Sequence, residues 1–212
     1  TMHRLIDFKL VSGKNSPEAV GRMLTPKELL MLVNECRADS SPAGVRDMAI
    51  IAVAYFGGLR RAEIAAINVE DYNIHTATLT VTSNRNKTRT VPIPLASDEI
   101  IAWLDIRGHH DGPMFVAIER DEARPPHNRP GYRLRDTAIT DQAIYAIFQK
   151  RAGDAGVKQF SPSDMRRTFL SAMLNAGVDL GTASAMAGHA NTATTARYDI
   201  PTCLLYTSPS PR

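Results

Sequence analysis

The chain has 212 residues, enough for one domain with a sizeable core and short appendages. Hydrophobic residues make up 43% and charged residues 22%, which excludes a disordered or fibrous chain, and no apolar run approaches the ~18 residues of a membrane span. Net charge is +3 and the pI about 9.0, a mild basic excess that fits a polyanionic partner without requiring one.

Residues 1–23 show no sustained periodicity and read as a tail or linker. Leu24-Thr25-Pro26-Lys27-Glu28 is a helix start: Thr25 can cap, Pro26 suits the first helical position and Glu28 completes a capping box. That helix is predicted to run to about Ala38. A second, over roughly 43–56, is apolar throughout and belongs in the core, and Gly57-Gly58 ends it. A short helix follows from about Arg61 to Ile67. The β-branched, alternating run Thr76–Thr82 is predicted as a strand. Arg89–Ile93 is its partner across the polar turn 83–88, with Pro92 favouring an edge position. A helix over 98–106 and a short extended piece at 113–116 come next. Residues 119–137, crowded with Arg and Pro, read as a long exposed loop. Thr140 caps a helix over about 141–154 with a stripe of Ile144, Ile147 and Phe148. Ser161-Pro162-Ser163-Asp164 is a second capping-box start, and that helix ends at Gly177. Short helices over 180–187 and 192–198 flank Gly188-His189. The tail after Asp199 has no helical period, and its LLYTSPSPR ending is expected to be non-native read-through. The expected layout is thus a tail at 1–23, one domain at 24–199 and a tail at 200–212. The fold class is mainly α with a small antiparallel β-sheet (α+β).

The chemistry concentrates in Ser161–Tyr198, where an Arg pair precedes a Gly-His step and a Tyr follows that His by nine residues. A phosphodiester is anionic and its transition state more so, so catalysis of its transfer is mostly positioning and electrostatic stabilisation. Arginine grips two non-bridging oxygens with its planar fork. Histidine adds a hydrogen bond or takes a proton. A phenol, with a free pKa of ~10, needs cationic surroundings to attack phosphorus. Arginines doing this work call for no metal and no cofactor. Singly, each residue has a plain structural reading: Arg60 with Glu63 as an i,i+3 surface pair, Arg166-Arg167 as a solvated helix face, His189 as a turn histidine, Tyr198 as a packing aromatic.

In order and at their spacings, the motifs resemble the tyrosine recombinases of the phage integrase family. Gly58-Leu59-Arg60-Arg61-Ala62-Glu63-Ile64 is similar to that family's G-L-R-x-x-E-L box, putting its first catalytic arginine on Arg60 and the accompanying glutamate on Glu63. Ser163–Phe169 is similar to the H-x-L-R-x-T-F box, putting the second arginine on Arg166. Gly188-His189 matches the L-G-H box, and Tyr198 falls on the nucleophile. His189 lies 23 residues after Arg166 and nine before Tyr198, as in the family. The resemblance covers about 24–199. It implies cleavage and rejoining of a DNA strand through a 3′-phosphotyrosine in site-specific recombination or integration. The implied partners are double-stranded DNA and three further copies of the chain in a tetramer, in the bacterial cytoplasm with the nucleoid and away from membranes. The two cysteines, Cys36 and Cys203, are too few for a disulfide framework and fit a reducing compartment.

Two positions depart from the family pattern. Ser163 stands where box II opens with His. Asn84 stands where the β-turn carries a general-acid Lys, leaving Lys87 as a possible substitute. Arg85, Lys87, Arg89 and Arg167 are the further candidates for contact with DNA. Losing a general acid costs ~10²–10⁴-fold, so weakened activity is expected. A separate N-terminal clamp half is expected to be absent, since only about 23 residues precede the domain. The alternative reading is a DNA-binding remnant without catalysis. A helical transcription regulator would need a recognition-helix pair, and none outweighs the four boxes.

Overall fold

The computed structural model describes residues 21–83, 86–121, 131–189 and 191–198. The first helix, α1 (Pro26–Ala38), begins with the expected box: the Thr25 hydroxyl accepts from the Glu28 N–H, and the Glu28 carboxylate accepts from the Thr25 N–H at 2.8 Å. Helix α2 (Pro42–Gly57) is the axis of the core, with Met48 to Tyr55 buried without interruption. A helix apolar on every side has to be surrounded, and α1, α4 (Ser97–Arg107) and α6 (Pro162–Asn175) pack around it. Gly58 closes α2 with φ +55°, and a side chain there would run into the Phe169 ring of α6. That close approach brings the turn before α3 (Arg61–Ala65) against α6.

Strands β1 (Tyr72–Asn73), β2 (Thr78–Thr82) and β3 (Thr88–Pro92) form an antiparallel sheet in that order, with Val81 opposite Arg89 and Thr78 opposite Pro92. Pro92 therefore lies on an edge strand, where a missing N–H costs no ladder bond. Burial alternates along β3, with Arg89 and Val91 inward and Thr88, Thr90 and Pro92 outward.

The loop expected over 119–137 is largely a β-hairpin. Strand β4 (Val116–Asp121) pairs with β5 (Gly131–Ala138), Ile118 opposite Leu134 and Glu119 opposite Arg133. The charges misled the reading because they line the wet face of a two-stranded ribbon. Glu119 and Arg135 form an ion pair across it, while Ile118 and Leu134 pack onto the core from the other face. Arg124 and Arg129 lie outside the described residues.

Helix α5 (Asp141–Asp154) buries Ile144, Ile147 and Phe148, as its stripe predicts, together with Arg151. The Arg151 guanidinium meets Asp47 at 2.8 Å and Asp39 at 2.7 Å, tying α5 to α2 and to the end of α1. Helix α6 carries the second box, Ser161 with Asp164, and Thr168 accepts the Leu24 N–H at 2.9 Å, which seats the entering chain. Helices α7 (Leu180–Ala187) and α8 (Thr192–Ala196) complete the described chain. Cys36 is a buried free thiol, pushed up to about 12 by burial first. Cys203 and the tail from 199 lie outside the described residues, as does the N-terminal segment before Gly21. Among the described residues no helix is long and apolar enough to cross a membrane.

Candidate active site

Arg60 is the N-cap residue of α3, set immediately after the αL turn at Gly58 and the buried Leu59. Glu63, one turn on, is only 3% exposed and accepts four hydrogen bonds. Its Oε2 accepts from the Arg60 N–H at 2.8 Å and its Oε1 from Arg60 Nη1 at 2.9 Å. Arg89 of β3 forks onto the same carboxylate, Nη1 to Oε1 and Nη2 to Oε2, both at 2.9 Å. Burial works to raise the Glu63 carboxyl. Hydrogen bonds from Arg89 and from the Arg60 backbone, with both guanidinium charges, outweigh it and hold the group below the usual carboxylate range.

Three arginines then close on the C-terminal end of α7. Arg89 Nε donates to Met186 O at 2.9 Å, Arg166 Nη2 to Ala187 O at 2.6 Å, and Arg60 Nη2 to Gly188 O at 3.3 Å. Those carbonyls have no intrahelical donors, and the negative end of the helix dipole favours cations. Gly188 turns the chain with φ +64°, and a Cβ there would lie 2.8 Å from Arg89 Nη1. The arginine packs into the space a side chain would fill. Arg166 also donates to Gly58 O at 2.5 Å, joining α6 to the α2–α3 turn. Burial first, and the nearby Arg60 charge, push Arg166 down to about 10, which leaves it a cation at neutral pH.

The α7 turn delivers His189 to this cluster. Its Nδ1 lies 2.7 Å from Thr195 Oγ1, and the Ser184 hydroxyl donates to that same oxygen at 2.6 Å. Burial first, then the charges of Arg166, Arg60 and Arg89, push His189 down to about 4, so the ring is neutral at physiological pH. Tyr198 follows α8. Its ring lies parallel to His189, with centroids 6.1 Å apart and planes at 12°, and the Arg167 guanidinium lies 5.2 Å from its centroid.

The structure thus brings together Arg60, Glu63, Arg89, Arg166, Arg167, His189 and Tyr198. Ser163 is exposed at the second position of α6, and Lys87 is exposed just before β3. Asn84 and Arg85 lie outside the described residues. Sequence reading missed Thr195, Ser184 and the carbonyl trio 186–188. Spacing alone does not reveal them, because they act through contacts between helices. Three guanidinium groups, those of Arg60, Arg89 and Arg166, around one carboxylate leave a net positive pocket, with a phenol at its edge and a neutral imidazole beside the phenol. Such a pocket suits an oxyanion undergoing attack by the phenol.

A small mixed domain with this cationic pocket fits the class of tyrosine-based phosphodiester-transfer proteins. The phage integrase family model matches residues 22–202, and the chain belongs to that family as a tyrosine recombinase catalytic domain. It is similar to tyrosine recombinase XerD of Listeria monocytogenes serotype 4b (strain F2365), 24% identical over 217 residues that cover 93% of this chain and 68% of that protein. Among solved structures it resembles XerA recombinase, with TM-score 0.70, 22% identity, and coverage of 90% of this chain and 62% of that one. It also resembles XerH site-specific recombinase bound to a palindromic difH substrate in a post-cleavage complex, with TM-score 0.65, 19% identity, and coverage of 90% and 53%. The chain spans between about half and two thirds of the length of the proteins it matches.

Proposed function

We propose that this chain, over 24–199, is a catalytic domain that cleaves and rejoins one strand of duplex DNA in site-specific recombination or integration. The observation that carries the reading is the convergence of Arg60, Arg166 and His189 beside Tyr198 on a pocket organised by Glu63. The Tyr198 hydroxyl gives up its proton to solvent as its oxygen attacks the scissile phosphorus, the phosphorus–O5′ bond breaks, and a 3′-phosphotyrosine forms. Arg60 and Arg166 hold the non-bridging oxygens as negative charge grows. The leaving 5′ oxygen needs a proton. Lys87 is our candidate donor, because it is exposed at the tip of the hairpin, where Ser83 N–H donates to Lys87 O at 2.9 Å, two residues before Arg89 and so on the same side of the ribbon. Rejoining is the reverse, with a 5′ hydroxyl as the attacking group.

Lys87, Arg85 and Arg167 are assigned to DNA contact. Arg89, whose fork is filled by Glu63, is assigned to building the pocket. The XerH complex with its difH substrate supports duplex DNA as the partner. A tetramer on paired sites is the arrangement proposed for the intact protein, acting at the chromosome in the cytoplasm. The test is a nicked duplex whose cleavage releases a short strand and traps the adduct. Covalent protein–DNA complex that depends on Tyr198 supports the reading. DNA binding with no adduct, unchanged by Tyr198→Phe, would instead mark a non-catalytic DNA-binding remnant.

A further inference from the structure

A histidine beside a reacting phosphate can donate a hydrogen bond or accept the nucleophile's proton, and which it does depends on its tautomer. Thr195 sits on α8 with no exposed surface, and Ser184 on α7 is 3% exposed. The Ser184 hydroxyl donates to Thr195 Oγ1 at 2.6 Å, and that oxygen lies 2.7 Å from His189 Nδ1. A threonine hydroxyl carries one hydrogen and two lone pairs. Were Nδ1 protonated, Thr195 would accept from both Ser184 and His189. Its own hydrogen would then be sealed away from water with no acceptor among the described residues, an arrangement folded proteins avoid. If Thr195 donates to Nδ1, both hydroxyl hydrogens of the Ser184–Thr195 pair are used.

The geometry points to Thr195, seated by Ser184, as the positioning residue that fixes His189 in the tautomer protonated on Nε2. This rests on the strand-cleavage reading for its consequence, though not for its observation. His189 then presents an N–H to the oxyanion held by Arg60 and Arg166, and its Nε2 has no lone pair with which to take a proton from Tyr198. The neutral ring that this requires agrees with the push of burial and of three arginines on His189. Helix α8 thereby has two tasks, delivering the nucleophile and setting the tautomer of its neighbour.

The test is two-bond proton–nitrogen correlation NMR on the full chain with nitrogen-15 histidine. In the wild type at pH 7, His189 Nδ1 should resonate as an unprotonated nitrogen and Nε2 as a protonated one. Thr195→Val keeps the shape and removes the hydroxyl. It should shift the balance toward the Nδ1–H tautomer, and slow single-turnover cleavage of the nicked duplex ~10²-fold with little change in DNA affinity. Thr195→Ser should restore both. A wild-type ring protonated on Nδ1, or a tautomer unmoved by Thr195→Val, would overturn the assignment. The wild-type spectrum decides it even if Thr195→Val fails to fold. The expected tautomer in a protein that forms no adduct would count against strand cleavage while supporting the assignment.

Discussion

Arg89 lays its fork across both oxygens of Glu63 at 2.9 Å each, so a residue of the β-hairpin and a residue of α3 form one bidentate pair under the pocket. Arg60 Nη1 donates to Oε1 of the same carboxylate. Glu63 therefore sets the spacing between Arg60 and the hairpin that carries Lys87. Glu63→Gln removes the charge and leaves Arg89, mostly buried, without its partner. The expected loss is about 3 kcal/mol of stability, read as a lower urea midpoint, with cleavage reduced ~10²–10³-fold. Arg89→Lys keeps the charge but cannot fork, and should move both measurements the same way. A Glu63→Gln protein with unchanged midpoint and rate would show the carboxylate to be incidental.

Ser163 lies exposed at the start of α6, three residues before Arg166. One helical turn puts the two on adjoining positions of the same face, so an imidazole at 163 could reach toward the phosphate that Arg166 is proposed to hold. Ser163→His should raise single-turnover cleavage by ~10–10²-fold, with little change in DNA affinity. An unchanged rate would mean that the chain has already compensated for the missing imidazole.

Local chemistry made much of this molecule legible in its sequence. Thr25 with Glu28 and Ser161 with Asp164 mark helix starts because a capping box spans four consecutive residues. The site boxes are equally local, since each is a short turn or helix start presenting one or two side chains. Arg89's true partner lies 26 residues back in the chain, and no spacing rule connects a strand to a preceding helix cap. The grip on carbonyls 186–188 uses backbone atoms, which carry no residue signature. The β4–β5 hairpin was hidden because its charged wet face dominates the composition, while its apolar cross-strand pairs, Val116 with Ala138 and Ile118 with Leu134, join residues far apart in the chain.

Lys87 as general acid makes a chemical prediction that separates proton donation from DNA binding. Lys87→Ala should slow cleavage of an ordinary nicked duplex by ~10²–10⁴-fold. A duplex with sulfur replacing the bridging 5′ oxygen has a leaving group that departs without a proton. The same variant should cleave that substrate at close to the wild-type rate. Equal losses on both substrates would reassign Lys87 to phosphate binding, and a shallower salt dependence of affinity, by about one unit of slope, would accompany that role.

His189 is held at about 4 in the folded chain against 6.5 for the free side chain. Between those values the unfolded chain binds a proton that the folded chain refuses. Stability therefore rises with pH through this window, is complete above about pH 6.5, and is lost as pH falls toward 4. The contribution is on the order of 2 kcal/mol once the partial exposure of the ring is allowed for. Glu63 and Asp39, both held below the usual carboxylate range, titrate with the same sign at lower pH, so the wild-type curve alone does not isolate the histidine. His189→Gln keeps a hydrogen-bonding side chain and removes the titration. Its unfolding free energy, measured in urea from pH 7 to pH 4, should fall by about 2 kcal/mol less than that of the wild type. Parallel curves for the two proteins would show that the arginines around the pocket do not press on His189, and that the ring could charge during the reaction.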